Sequence, residues 1–397
     1  MIILFEDKDV AHFYPLALTR PMSELRMGVL KNSERWGMAT AFKVSHTTRD
    51  YLKPLYPESK KDEGFLINAR LLPSAEVWET IKELPAGHML MHQQHVLAFH
   101  YSPEYTSFDQ VIQKVDFPTK PLFLEKITDL FALNAEAIKL DFKLVTQGRH
   151  SAALPDHCRI IGNADRLFIE EGATVLCSTF NVTEGPIYIA KDAEVMEGSL
   201  VRGPFVLGEH SQLKMGTKVY TGTSIGPHCK VGGEISNSLI MGFSNKAHDG
   251  FLGNSILGEW CNLGADTNNS NLKNNYSNVR IWNYADKSYA DTGLTFCGLI
   301  MGDHSKCGIN TMFNTGTVVG VSANIFGGGF PPKHIPSFGW GGSEGLSTYD
   351  LNKAFATAAK VFGRRSLEFD QANRDMLSAI YEMTLSDREM AGKDQGE

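Results

Sequence analysis

The chain has 397 residues, 42% hydrophobic and 21% charged, which suits a folded protein of two or three domains. Its formal net charge of −7, from 38 basic and 45 acidic residues, argues against nucleic acid or an anionic membrane as partner. No apolar run approaches the roughly 18–20 residues of a membrane span, and the start MIILFEDKDV lacks the basic region and cleavage site of a secretory signal; a cytoplasmic protein is expected.

In chain order, IILFE reads as a first strand, LRMGVLKNSERWGMAT as a helix and GFLINARLLPS as a strand with a turn. The segment PLFLEKITDLFALNAEAIKLDFKLV reads as a helical linker. This mixture predicts an α/β domain over residues 1–125 and a linker over 126–158. His88, His92, His95 and His100 lie close in sequence but lack Asp, Glu or Cys partners at metal-ligand spacing. They are expected to be ordinary surface and edge histidines, and no metal site is expected from them. The six cysteines show no CxxC spacing, and Cys229 and Cys307 at least sit where a small or apolar side chain is called for, so free thiols, buried at those positions, are expected.

From residue 159 to about 330 the dominant signal is a period of six. Ile189, Val195, Val201, Leu207, Leu213, Val219, Ile225 and Val231 follow one another at six-residue steps. Two positions before each lie Ile187, Ala193, Ser199, Phe205, Ser211, Thr217, Thr223 and Cys229, most of them small. The pattern returns at Met301, Cys307, Phe313, Val319 and Ile325, and a weaker early trace holds Ile161-Gly162 and Leu167. Period six fits neither a helix face nor a simple alternating strand. It fits a left-handed parallel β-helix of hexapeptide repeats, with the aliphatic residue inside, a small residue at the corner and glycine tolerating a left-handed turn. Roughly eight or nine coils are expected. Residues 266–298 lose the pattern and are rich in Asn, Tyr and Asp, as expected of an excursion that carries function. After Ile325, GGGFPPKHIPSFGWGG reads as the end of the solenoid. Residues 331–397 form a C-terminal extension whose Leu351, Phe355, Ala358, Val361 and Phe362 predict an α-helix from about Thr348 to Thr384, expected to pack against the solenoid's end and cap its exposed edge. Lys360, Arg364, Arg365 and Arg374 surround that stripe as a solvated face or a phosphate site.

Two blocks, SNKAHDGFLGNSILGEWCNLGADTNNSNL and DTGLTFCGLIMGDHSKCGINTMFNTGTVVG, resemble the acetyltransferase half of the bifunctional N-acetylglucosamine-1-phosphate uridylyltransferase/glucosamine-1-phosphate acetyltransferase family. PLALTRPMSELRMGVLKNSERW resembles the nucleotidyltransferase-like domain of a divergent branch of it. The resemblance implies His248 as catalytic base, since an amine must shed a proton as it attacks the thioester of acetyl-CoA, and a neutral imidazole suits that task. It implies substrate contacts at Phe251, where the family has Tyr, and at Asn271; Leu272 departs from the family pattern. It places the acetyl-CoA side at Gly308, Ile309 and Asn310, with Ile309 where the family has Ser. In the N-terminal domain it implies substrate binding by Arg20, Arg26, Lys31 and Asn68. There Met22 replaces the lysine that would follow Arg20-Pro21, and no glycine-rich loop follows the first strand. Insertion 273–298 has no counterpart in the family, and Tyr276, Arg280 or Trp282 could supply replacement contacts.

The partners implied are a phosphorylated amino sugar, acetyl-CoA and a nucleoside triphosphate such as UTP, with Mg²⁺ if the N-terminal domain is active, in a homotrimer. Three readings follow. The chain is an acetyltransferase of UDP-N-acetylglucosamine-type biosynthesis, with or without the second activity. It is a sugar-1-phosphate nucleotidyltransferase alone. Or it is a non-catalytic trimeric ligand-binding scaffold.

Overall fold

The apolar run Ile2–Phe5 becomes the strand on which the N-terminal unit is built. In the computed structural model, which describes residues 1–59 and 63–393, it lies between Val44–His46 and Gly64–Asn68, parallel to both. Gly64–Asn68 pairs antiparallel with His95–Tyr101, which pairs in turn with His88–His92; Gln113–Asp116 closes the six-stranded sheet. Ile2, Ile3, Leu4 and Phe5 are all buried, because a central strand covered on both faces reads as a continuous apolar run. Helix α1 (Asn32–Thr40) starts later than the sequence predicts, since Arg26–Met27 and Leu30–Lys31 are short strands. Gly28 between them takes a φ of +67°, which a helix cannot hold. Helix α2 (Ala75–Lys82) begins at Ser74, whose hydroxyl accepts the Val77 N–H. The four histidines lie along one hairpin, and no metal-ligating group forms there among the described residues.

Residues 14–19, 27–29 and 128 onward make the second unit. Helices α3 (Asp129–Ala132) and α4 (Asn134–Thr146) lead into a parallel β-helix. Its strands form three ladders, of nine, ten and six strands. Every member of the two aliphatic series is buried, and so is every residue two positions before one. Ile189 pairs with Leu207 and Leu207 with Ile225, so three hexapeptides make one coil. The small corner residues also bond. Ser211 Oγ donates to Gly226 O at 2.7 Å and accepts from Cys229 N at 2.8 Å, and Ser305 repeats the device with Gly320 O and Ala323 N. A hydroxyl thus satisfies backbone groups where the chain turns and no strand partner is available.

Gly208, Gly226, Gly232, Gly302 and Gly320, which follow aliphatic residues, serve close approach and not left-handed turns. A Cβ on Gly226 would meet Met241 O at 1.7 Å, and one on Gly208 would meet Gly226 C at 2.5 Å. The left-handed position falls two residues later, at His210, His228 and His304, and in other coils at Phe243 and Trp260. Stacked coils bring most of these rings face to face. Centroid separations are 4.9 Å for His210–His228, 4.9 Å for His228–Phe243 and 4.2 Å for Phe243–Trp260, matching the roughly 4.8 Å strand spacing.

Three further expectations change. Ile161 is 49% exposed, and Ile160 is the residue paired with buried Phe180, so the first coil starts one position out of the expected register. The coils continue past Ile325, because His334–Ile335 and Gly339–Gly342 extend two ladders while the prolines occupy the turn between. The C-terminal helix is three helices, α5 (Leu351–Gly363), α6 (Gln371–Met383) and α7 (Leu385–Lys393). Ser366 at φ +56° breaks the run, and Asp370 restarts it by accepting the Asn373 N–H at 2.9 Å. Insertion 273–298 leaves the coil as a hairpin, Arg280–Asn283 against Ser288–Asp291. Among the described residues no helix is long and apolar enough to cross a membrane.

Candidate functional site

His248 sits in a four-residue turn, 247–250, between the strands Asn245–Lys246 and Phe251–Gly253. Its side chain is exposed and lines a groove of about 590 Å³. Lys230, Lys306, Arg364 and Arg365 line the same groove, and no carboxylate is among its lining residues. Phe243 and Trp260 form the aromatic part of the wall. The turn that ends helix α5 supplies both arginines because Phe362 stacks on Trp260 at 4.2 Å, and Arg365 donates to His228 O at 3.0 Å. The basic residues at the end of that helix, ambiguous in the sequence, therefore belong to the wall of the His248 groove. Periodicity could not have paired them with His248, which lies more than a hundred positions earlier in the chain.

The coils place the residues expected on the acetyl-CoA side in one column with His248. Asn245 pairs with Asn262, and Asn262 with Lys306, so the turns 247–250, 264–267 and 308–311 stack in register. Ile309 lies two coils above His248, about 10 Å along the axis at the usual strand spacing, and is 70% exposed. Asn310 N donates to Ala265 O at 2.8 Å, and Gly308 stands against Gly264. Phe251 and Asn271 lie on the adjoining face. Phe251 N donates to Asn268 Oδ1 at 2.8 Å, and Asn271 Nδ2 donates to Asn254 Oδ1 at 2.8 Å. Between them, buried Asn269 replaces the expected aliphatic residue and bonds both Gly253 N and Gly253 O. This amide continues the ladder where the backbone leaves it for the insertion. In the insertion, Tyr276 and Arg280 are exposed. Trp282 stacks on His334 at 4.2 Å and faces a different cavity, of about 460 Å³.

The cations expected in the N-terminal unit are engaged by neighbours. Arg26 lies 3.7 Å from Glu34, Lys31 lies 3.0 Å from Glu24, and Arg20 is buried with its carbonyl accepting from Arg49. Burial raises the Glu24 carboxyl, but Lys31 and Ser33 outweigh it and leave its pKa lowered. Asn68, fully buried, donates to Asp7 Oδ2 at 2.8 Å and to Val96 O at 3.0 Å. Where a glycine-rich loop would follow the first strand, Glu6 binds Arg49, and Asp7 and Asp9 both bind Arg70. These carboxylates are ion-paired with guanidinium groups.

Residues 2–150 match the model of a family described as sugar nucleotidyl transferase. The chain is 29% identical over 151 residues to a bifunctional sugar-1-phosphate nucleotidylyltransferase/acetyltransferase of Sulfurisphaera tokodaii, a match covering 36% of each chain. It is 36% identical over 87 residues to the bifunctional protein GlmU of Methanocaldococcus jannaschii, covering 22% of this chain and 21% of that one. The matches thus span about a third or less of these relatives' length. Among solved structures, the polySia-specific acetyltransferase NeuO is matched over 52% of this chain and 100% of its own, at 12% identity and a TM-score of 0.29.

Proposed function

We propose that this chain, whose residues 2–150 carry the sugar nucleotidyl transferase signature and whose second unit is a hexapeptide-repeat β-helix, is a transferase of sugar-nucleotide biosynthesis. Its β-helix transfers the acetyl group of acetyl-CoA to the amine of a phosphorylated amino sugar. The observation that carries this reading is His248 on a groove walled by Lys230, Lys306, Arg364 and Arg365 without a carboxylate. Both substrates are anionic through phosphate, and clustered cations without counter-charges suit them.

In the reaction, the amine nitrogen attacks the thioester carbonyl, and the His248 imidazole takes a proton from it. The C–N bond forms, the C–S bond breaks, and coenzyme A leaves as the thiol with a proton returned to sulfur. The column His248–Ile309 gives an extended donor a path along the helix axis, with exposed Ile309 as an apolar rest for its arm. Asn271 and Phe251 would face the acceptor sugar. Purified chain mixed with acetyl-CoA and glucosamine-1-phosphate, or another phosphorylated amino sugar, is expected to release free thiol. His248→Ala should lower that rate about 10²–10⁴-fold; full activity in this variant sinks the base assignment.

The N-terminal unit would join a sugar-1-phosphate to a nucleoside triphosphate such as UTP. Asp7 and Asp9 are already paired with Arg70, so Mg²⁺ would enter mainly through the triphosphate's own oxygens. Arg20, Arg26, Lys31 and Asn68 would have to trade present partners for substrate.

A further inference from the structure

The inward column Val195, Leu213, Val231, Leu263, Cys307, Ile325 contains one charged member, Lys246. Its residue is 2% exposed. The coil beneath makes room for it. There the turn between Lys230–Val231 and Glu234–Ser236 has only residues 232–233, whereas the turn holding His248 has four. Lys246 Nζ extends into the space of the missing residues, where a Cβ on Gly233 would meet it at 3.0 Å, and donates to His248 O at 2.5 Å. An interior lysine costs stability that an aliphatic residue in the same column would not. A local rule broken beside a functional group is a sign that the group needs it.

We propose that Lys246 is a positioning residue: its ammonium holds the His248 carbonyl, sets the 247–250 turn and thereby places the imidazole on the groove. This rests on His248 being the base. The titratable groups that face the ammonium are Asp249 from its own turn, Asp266 from the turn above and Cys307 from the inward column two coils above. Burial lowers the Lys246 pKa to about 8, and the two aspartates act to hold it up. Activity should therefore fall above about pH 8 as the ammonium is lost.

The full-length chain, Lys246→Met and His248→Ala are compared by thiol release between about pH 6 and 10, by thermal melting, and by amide exchange of residues 247–250. Lys246→Met is expected to melt at or above the wild type, yet lose kcat about ten- to hundred-fold with little change in KM for acetyl-CoA. Its remaining activity should lack the alkaline fall, and its 247–250 amides should exchange faster. A stable Lys246→Met with wild-type kcat, or with the alkaline fall intact, overturns the proposal. So does a wild-type profile flat across pH 8, which requires no variant to fold. Full activity in His248→Ala rejects the base reading instead, and the exchange measurement still decides whether Lys246 orders the turn.

Discussion

At the scale of the residue, the molecule trades stability for placement at Lys246. The sign of the pH effect follows from linkage. Lys246 binds its proton less tightly in the folded chain, with a pKa of about 8, than in the unfolded chain, where lysine titrates near about 10.4. Between those values the unfolded state holds more protons, so stability rises with pH through that window. The melting advantage of Lys246→Met should therefore be largest below pH 8 and shrink above it, which melts at several pH values will show. Arg364 tests the groove itself. Exposed on its wall and not bonded to the coil as Arg365 is, it can be removed with little structural cost. Arg364→Ala should raise KM for acetyl-CoA several-fold, about 1 kcal/mol for an exposed charge, and weaken its dependence on salt, with kcat unchanged. Of the candidate site, His248 and the residues of its column were named in the sequence through the family motif, while the stacking of their turns came from the coils. Lys246 was not, because inward and outward lysines read alike until the turn beneath loses two residues.

The element that completes the site is helix α5. Its apolar stripe was readable as a helix, but the stripe was expected on the solenoid's end, and Phe362 instead lies on Trp260, on the wall of the coils. Ring stacking decides that. The left-handed corners bring Phe243 and Trp260 within 4.2 Å, and Phe362 adds one more ring at the same distance. Phe362→Ala removes a buried ring whose loss typically costs about 3 kcal/mol or more. The β-helix unit should melt lower, and KM for acetyl-CoA should rise as well, because Arg364 and Arg365 sit in the turn that ends the same helix. An unchanged KM in a destabilised variant would separate the helix from the groove. The insertion shows the opposite case. Its loss of period announced an excursion, yet the hairpin points Trp282 at His334 and its own cavity rather than at His248. Composition marks where a chain leaves a repeat; it carries no direction.

For the whole molecule, the question is whether both units turn over. If the N-terminal unit is active, the chain with Mg²⁺, a sugar-1-phosphate and each of the four nucleoside triphosphates will release pyrophosphate with at least one of them. No release with any of them rejects the nucleotidyl-transfer half of the proposal and leaves acetyl transfer to be tested alone. What the amino-acid sequence determined by itself was the β-helix, its inward columns and the strand-forming start of the N-terminal unit. Each of these is written as a short-range repeat or an uninterrupted apolar run, and burial acts on every copy of it alike. What only the tertiary structure decided was contact between distant segments. Gly208 and Gly226 answer to the next coil rather than to their own φ. The acids that replace a glycine-rich loop find their guanidinium partners at Arg49 and Arg70. The C-terminal arginines reach the groove of His248 only because a ring ladder draws their helix down. Such contacts depend on where separate turns and helices come to rest in space, and no local pattern of residues encodes that distance.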